Sequence, residues 1–239
     1  MHDQMIKPES ELRVAGMFDK IAPRYDLLNT ILSAGQDRRW RKHLLASLPA
    51  EPESVLLDVA TGTGDVVIGA ASTQPYWQKL IGADISEEML FRARQKAEKS
   101  DLLRKISFQK MSATKLDLPD QFCNAVTISF GLRNVVEKEQ ALKEFYRVLK
   151  PGGELFVLEF FLPDQKLLSS GFRFYFRHIL PKIGGLLSDK EAYRYLPESV
   201  ETFYSTRDLK ENLMARNFTI GQTKSWLFGS CKLIQAIKA

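Results

Sequence analysis

The chain of 239 residues is poor in the residues that hold small scaffolds together, since it has two cysteines and three histidines. A disulfide framework needs several paired cysteines in an oxidising compartment, so Cys123 and Cys231 indicate a protein of a reducing cytoplasm. No apolar run reaches the roughly 18 residues that a membrane-spanning helix needs, and the polar start MHDQMIKPESELR does not resemble a secretory signal. Neither His43 nor His178 has neighbours typical of a metal site, so we expect both at the surface and no metal cofactor.

Internal repeats and low-complexity tracts are also absent. A content of 44% hydrophobic and 26% charged residues is typical of a soluble globular protein, and the length fits a single domain, 1–239. The formal net charge of +5 favours anionic partners, either nucleic acid or a membrane surface. An excess of this size also serves solubility alone, so charge does not choose between them.

Short apolar segments alternate with helical ones along most of the chain. The pattern predicts strands at 54–59, 79–84, 105–110, 124–130 and 154–160, and helices at 65–72, 86–99 and 137–149. Such alternation builds βαβ units, with a mostly parallel sheet and helices on both of its faces. Ligands of these α/β folds bind beyond the carboxyl ends of the strands.

The loop DVATGTGD, 58–65, follows the first predicted strand. Gly62 and Gly64 allow the backbone to approach a ligand closely, although a tight strand-to-helix turn also explains them. A dinucleotide-binding loop requires a further glycine where Val67 stands. Asp84 ends the second strand about 20 residues later, where a carboxylate binds a ribose. This glycine loop lacks the third glycine of a pyrophosphate-binding loop, and it is followed by a carboxylate that can bind a ribose. The combination predicts an adenosine ligand without phosphates, of which S-adenosylmethionine is the commonest.

Longer stretches carry a more specific likeness: MFDKIAPRYDLLNTILSAGQDRRWRK (17–42), TISFGLRNV (127–135), YRVLKPGGELFVLEF (146–160) and EAYRYLPESV (191–200). Through them nearly the whole chain resembles the ubiquinone/menaquinone biosynthesis C-methyltransferases. The resemblance implies a class I S-adenosylmethionine-dependent methyltransferase fold, which is Rossmann-like with a mostly parallel seven-stranded sheet. It also implies methylation of a ring carbon of a polyprenylated quinol, chiefly demethylmenaquinol. The benzoquinol of ubiquinone biosynthesis is the alternative nucleus.

The resemblance also implies a division of the chain and a set of cofactor contacts. We expect a helical N-terminal lid (1–50), a cofactor-binding core (51–160), a substrate or lid insertion after strand 5 (161–205), and a C-terminal helix with a β-hairpin (206–239). Besides the glycines and Asp84, the implied contacts are Thr63 in the glycine loop, Ser112 and Ala113 near the adenine, and Ser129 at the end of the fourth strand. Ser112 departs from the Asp or Asn of many relatives, because it offers a hydrogen bond without a charge.

The stretch TISFGLRN brings a glycine, an arginine and an asparagine to the end of a strand. A quinol carbon becomes more nucleophilic when a neighbouring hydroxyl loses its proton, so a cation beside the ring assists. We expect Arg133, the candidate catalytic residue, to stabilise a phenolate or to hold a water that acts as base. Gly131 is expected to permit the sharp turn. The alternative for Arg133 is a salt bridge with a helix acid such as Glu137, and Glu159 is a weaker candidate for proton removal.

The segment 163–190 is long for a connection, and its apolar residues recur at helical spacing beside basic ones. The apolar residues are Phe172, Tyr175, Phe176, Ile179 and Ile183, and the basic ones are Arg173, Arg177 and Lys182. We expect peripheral contact with the inner membrane face that carries the quinol, with a lid packed on the core or a homodimer surface as alternatives. Tyr193 and Tyr195 supply walls for a ring pocket or ordinary packing.

Other classes of function fit less well. A nucleic-acid methyltransferase would show a base-gripping motif such as Asn-Pro-Pro-Tyr or a cysteine nucleophile near a proline, and FGLRN offers neither. We therefore expect no nucleic-acid partner. A cofactor-binding scaffold without catalysis is disfavoured by the intact glycine loop together with Asp84 and Arg133.

Overall fold

A computed structural model of the chain describes residues 11–33, 35–49, 51–163, 195 and 198–239. The expectations for Phe172 and Phe176, for His178 and for Tyr193 lie outside these residues. Within them, no helix has the length and apolar character needed to cross a bilayer.

One sheet of seven strands forms the centre of the molecule. The strands are β1 (Ser54–Val59), β2 (Trp77–Asp84), β3 (Ile106–Lys110), β4 (Cys123–Ser129), β5 (Leu149–Phe160), β6 (Phe218–Trp226) and β7 (Cys231–Lys238). Their order is β3-β2-β1-β4-β5-β7-β6. The first five strands run parallel, whereas β7 is antiparallel to β5 and to β6. This arrangement confirms the class I methyltransferase fold.

Helices cover both faces of the sheet. They are α1 (Glu11–Ile21), α2 (Tyr25–Leu32), α3 (Gln36–Leu45), α4 (Asp65–Thr73), α5 (Glu87–Lys99), α6 (Lys138–Val148) and α7 (Thr206–Met214). Ser86 caps α5, because its hydroxyl accepts a hydrogen bond from the Met89 N–H at 3.1 Å. Ser205 and Asp208 form a capping box at the start of α7.

Strand β1 shows why the sheet is covered on both sides. All of its residues are buried, and alternate side chains enter two different apolar clusters. Val55, Leu57 and Val59 pack with α6, whereas Leu56 packs with α3 and α4. The run of apolar residues in SVLLDV is therefore that of a central parallel strand.

Most predicted elements agree with the structure to within two residues. The largest difference is β5, which begins at Leu149 because that residue pairs with Cys123 before the register shifts. Helix α6 ends at Val148, shortly before KPGG, where Gly152 has a φ of 74°. The carboxyl ends of the parallel strands meet at one edge, and the loops that follow them build the site described next.

Candidate active site

A cavity with about 640 Å³ of empty volume, part of it open to solvent, lies at this carboxyl edge of the sheet. The wall comes from residues after the parallel strands and from α1, α2 and α5: Ala60, Gly62, Asp84, Ile85, Met111, Ala113, Phe130, Gly131, Asn134, Val135, Glu11, Val14, Phe18, Tyr25 and Met89. The wall is mostly apolar with few polar groups, which is typical of a small-molecule site.

Asp84 is the buried acid of this wall. Its carboxylate accepts the Gly62 N–H at 2.8 Å and the Ser86 N–H at 2.9 Å. Burial raises the pKa of Asp84, and these backbone hydrogen bonds oppose the rise. The backbone holds this carboxylate in place, and its remaining lone pairs can accept hydrogen bonds from the hydroxyls of a ligand in the cavity.

The glycine loop after β1 follows a path that side chains rarely adopt. Gly62 and Gly64 have φ values of 56° and 83°, and Ala60, at 50°, shares this left-handed region. A Cβ on Gly64 would lie 3.0 Å from Ile68 Cδ1 and 3.2 Å from Ala93 Cβ. The sequence predicted that the backbone of this loop approaches a ligand closely, and the structure uses the Gly62 N–H to hold the Asp84 carboxylate.

Thr63 lies in the same loop, behind the cavity wall. Its hydroxyl donates to the Asp26 carboxylate and accepts a hydrogen bond of 3.0 Å from Lys96 Nζ. Lys96 also pairs with Asp26 and with Asp65, each at 2.6 Å. The Thr63 side chain therefore fastens α2 to the glycine loop.

The loop after β3 is closed over by α1. Ser112 donates its hydroxyl hydrogen to Glu11 at 2.7 Å, and Thr114 donates to the same oxygen at 3.0 Å. Ala113 lies in the cavity wall beside Met111. No signal in the sequence indicated Glu11, because helix α1 is distant from Ser112 along the chain.

The turn after β4 corrects one expectation about glycine. The left-handed residue is Phe130, with a φ of 57°, whereas Gly131 has an ordinary φ of −113°. Glycine is needed at 131 for space, because a Cβ there would lie 2.6 Å from Ala60 Cβ. The loops after β1 and β4 therefore touch, and the Ser129 hydroxyl beneath them is buried without a hydrogen-bond partner among the described residues.

Arg133 forms a buried ion pair at the back of this wall. Its Nη1 lies 2.6 Å from Glu159 Oε1 and 2.7 Å from the Phe130 carbonyl oxygen. Glu159 is 0% exposed and also accepts the Phe160 N–H at 2.8 Å. Glu137, the partner considered from the sequence, is exposed instead. The Nε of Arg133 is buried and has no hydrogen-bond partner in the described part of the chain.

Unpaired polar atoms stand near this ion pair. Asn134 is 8% exposed, and its Nδ2 donates to the Phe130 carbonyl at 3.2 Å, whereas its Oδ1 has no partner among the described residues. Tyr25 lies in the cavity wall, and burial raises the pKa of its phenol. Burial also raises the pKa of Tyr195, whose hydroxyl likewise lacks a partner in the described chain and senses the charges of Arg133 and Glu159.

The structure thus separates the predicted site residues into two sets. Gly62, Asp84 and Ala113 form the cavity wall, and Thr63, Gly64, Ser112, Ser129 and Arg133 stand behind it. His43, expected at the surface, is half-buried and stacks on Trp226 with ring centroids 5.3 Å apart.

Comparison with known sequences decides the family. The profile of the ubiE/COQ5 methyltransferase family matches residues 6–238. The chain belongs to this family. The methyltransferase is 49% identical to the ubiquinone/menaquinone biosynthesis C-methyltransferase UbiE of Syntrophotalea carbinolica, over 78% of each chain. It is 45% identical to the demethylmenaquinone methyltransferase of Thermus thermophilus, over 85% of this chain and 92% of that protein.

A solved structure supports the fold of the methyltransferase. The S-adenosylmethionine-dependent methyltransferase of Thermotoga maritima, a possible histamine N-methyltransferase, superposes with a TM-score of 0.65 at 19% identity, covering 95% of this chain and all of that one. The predicted family, enzyme class and S-adenosylmethionine as methyl donor are thereby confirmed.

Proposed function

We propose that this methyltransferase methylates a ring carbon of a polyprenylated quinol, with demethylmenaquinol as its main substrate. The names of its relatives contain both menaquinone and ubiquinone, so the benzoquinol of ubiquinone biosynthesis is the second candidate nucleus. The observation that carries the proposal is one cavity in which the Asp84 carboxylate and the unpaired Asn134 Oδ1 share a mostly apolar wall. A nucleoside and an aromatic ring with hydroxyls match these two ends.

The residues around Asp84 fit S-adenosylmethionine. In this proposal the Asp84 carboxylate accepts hydrogen bonds from the ribose hydroxyls. Ile85, Met89 and Met111 enclose the adenine with apolar side chains. The bound cofactor supplies an electrophilic methyl group on a sulfonium. The protein needs to align this group with the quinol carbon and to exclude water, which the contacts of α1 over the cavity favour.

The turn after β4 fits the quinol. In this proposal the unpaired Asn134 Oδ1 accepts a hydrogen bond from a ring hydroxyl, which raises the electron density at the neighbouring ring carbon. Tyr25 adds a second polar atom in the same wall. A donor or acceptor that is buried and unpaired is costly unless a ligand satisfies it, so Asn134 is better explained with a substrate present.

Arg133 has a place in the proposal through its unpaired Nε. The Arg133–Glu159 pair is neutral as a unit and holds the Phe130 carbonyl, so it fixes the turn that carries Asn134. Nε is buried behind the cavity wall without a partner among the described residues, so in this proposal it donates a hydrogen bond to a water between the wall and the ring. That water takes the ring proton, the role predicted for Arg133 from the sequence.

The polyprenyl tail implies that the enzyme works at a membrane surface. A long isoprenoid chain stays in the bilayer, so the quinol ring has to be taken up from the lipid interface. Peripheral contact with the inner face of the membrane is part of the proposal. A homodimer stays a prediction and is tested with the lipid experiment below.

Asp84→Ala tests the proposal. The variant should bind S-adenosylmethionine about 10- to 150-fold more weakly, because a charged acceptor worth about 1.5–3 kcal/mol is lost. Isothermal titration calorimetry measures this change, and Asp117→Ala, which removes an exposed carboxylate from the loop after β3, is the matched control.

Methylation of the two reduced quinols by the wild type then decides the substrate. Transfer of label from S-adenosylmethionine to demethylmenaquinol supports the proposal. Unchanged cofactor affinity in the folded Asp84 variant, or no transfer to either quinol, would contradict it.

A further inference from the structure

The turn between β6 and β7 exposes two adjacent apolar side chains in a strained backbone. Leu227 and Phe228 have φ values of 49° and 54°, a region that bulky residues rarely occupy. Their exposed fractions are 48% and 82%. Folding therefore orders these residues unfavourably and buries little of their surface, so packing in the folded core does not explain them and a contact outside the protein does.

This turn lies at the same edge of the sheet as the cavity. Cys231, the first residue of β7, pairs with Phe160 at the carboxyl end of β5. The Phe161 N–H donates to the Ser230 carbonyl at 2.8 Å. The tip formed by Leu227 and Phe228 thus stands beyond the carboxyl end of β5.

Aromatic contacts connect this edge with the cavity wall. Phe130 lines the cavity, and its ring centroid lies 4.9 Å from that of Phe160. The Phe160 ring in turn lies 5.7 Å from Trp40 of α3. Apolar packing is therefore continuous from the cavity wall to the part of the edge where the turn stands.

Helix α3 places positive charge beside the tip. His43 stacks on Trp226, which directly precedes Leu227. On the same helix Arg38, Arg39 and Lys42 are exposed. The helix's own acid, Asp37, is buried and pairs with Arg41 at 2.6 Å, so it does not neutralise the exposed cations.

We infer that the tip (Leu227 and Phe228) and the basic face of α3 (Arg38, Arg39 and Lys42) form a docking surface for a bilayer that contains anionic lipid. The tip inserts among the acyl chains and the cations contact the headgroups. The inference deepens the proposed function and rests on it, because docking here sets the cavity edge against the layer that holds the quinol tail.

A bilayer fits this surface better than a protein partner does. A stable protein interface buries about 800 Å² on each side, with a wide apolar centre. The tip consists of two residues and projects from a turn. The neighbouring cations Arg38, Arg39 and Lys42 form no ion pair with Asp37, the acid of their own helix, because Asp37 pairs with Arg41. Shallow insertion needs only such a tip, and anionic headgroups supply the countercharge.

Co-sedimentation with lipid vesicles tests the inference without any quinol. The wild type should bind vesicles of phosphatidylcholine that contain phosphatidylglycerol. Replacing Leu227 and Phe228 together by Asn should lower the partition coefficient on the order of tenfold or more, since the inserted apolar surface is lost. Asn tolerates a positive φ, so this variant should keep the thermal stability of the wild type.

The basic face is tested by Arg39→Gln with Lys42→Gln. Binding to anionic vesicles should fall about fivefold for each charge, and binding to vesicles of phosphatidylcholine alone should not change. Controls at the opposite edge are Met214→Gln, for an exposed apolar side chain, and Arg104→Gln with Lys105→Gln, for charge. Both controls should bind as the wild type does.

Unchanged vesicle binding by the tip variant would overturn the inference. So would a wild-type dimer in sedimentation velocity that the tip variant converts to monomer while vesicle binding stays the same. Methylation of a short-tailed quinol in solution is a separate readout. A wild type that does not methylate this quinol would contradict the proposed function. A tip variant that still methylates it but no longer binds vesicles would support both the proposed function and the docking surface.

Discussion

Replacing Arg133 by Met should expose how much the buried ion pair contributes to folding. The variant leaves the Glu159 carboxylate, which is 0% exposed, with backbone N–H donors but without its countercharge at 2.6 Å. Removing one partner of a buried pair destabilises a protein by about 3–5 kcal/mol, because the remaining charge is left uncompensated. Urea unfolding at neutral pH measures this free energy.

A second substitution separates folding from chemistry. Adding Glu159→Gln to Arg133→Met removes the stranded charge, so most of the lost unfolding free energy should return. If Arg133 Nε holds the base water, single-turnover methyl transfer in this double variant should still be on the order of 10²-fold slower. Arg92→Met is the matched control, because its pair with Glu88 is partly exposed and should contribute about 0.5 kcal/mol or less.

Two results would refute this reasoning. A loss below about 1 kcal/mol in Arg133→Met would mean that the pair is hydrated in solution. Wild-type turnover in the stabilised double variant would mean that the arginine serves the fold alone.

Asp58 and Gly131 give two more expected outcomes. Burial raises the pKa of Asp58 from 3.8 to about 6, so the folded state holds this proton up to a higher pH than the unfolded state does. The free energy of unfolding is therefore highest below about pH 4, and up to about 3 kcal/mol of it is lost as the pH rises through 6. Asp58→Asn should lack this loss in urea unfolding across the same range, and parallel curves for the two proteins would contradict the assignment. Gly131→Ala should cost about 1–3 kcal/mol and weaken cofactor binding, because its Cβ would meet Ala60 at 2.6 Å. Gly16→Ala, with open space around it, should be neutral or stabilising in the same thermal melts, and equal losses in both would exclude crowding as the cause.

What the sequence predicted well is what depends on neighbours along the chain. The glycine loop and Asp84 end adjacent parallel strands, so the order of elements alone places them together. The Arg133–Glu159 pair joins residues 26 positions apart on different elements, and the Glu11–Ser112 bond spans 101. Such contacts depend on how helices and loops pack, and local patterns carry no information about them. The left-handed conformation of Phe130 was missed for a related reason. A glycine in a turn suggests that the glycine itself is left-handed, but Gly131 is required by its close contact with Ala60 on another loop.

The acids of α1 and α2 have a kinetic consequence. Glu11, Asp19 and Asp26 accept hydrogen bonds from Ser112, Ser86 and Thr63, which follow three neighbouring strands. Three carboxylate–hydroxyl hydrogen bonds therefore join one pair of helices to three loops of the cavity edge, and all three have to break before both helices can move away. At about 1 kcal/mol net for each bond, opening would be on the order of 10²-fold rarer than without these bonds. If S-adenosylmethionine binds beside Asp84 as proposed, these bonds should slow the exit of its demethylated product, and we expect that release to limit turnover.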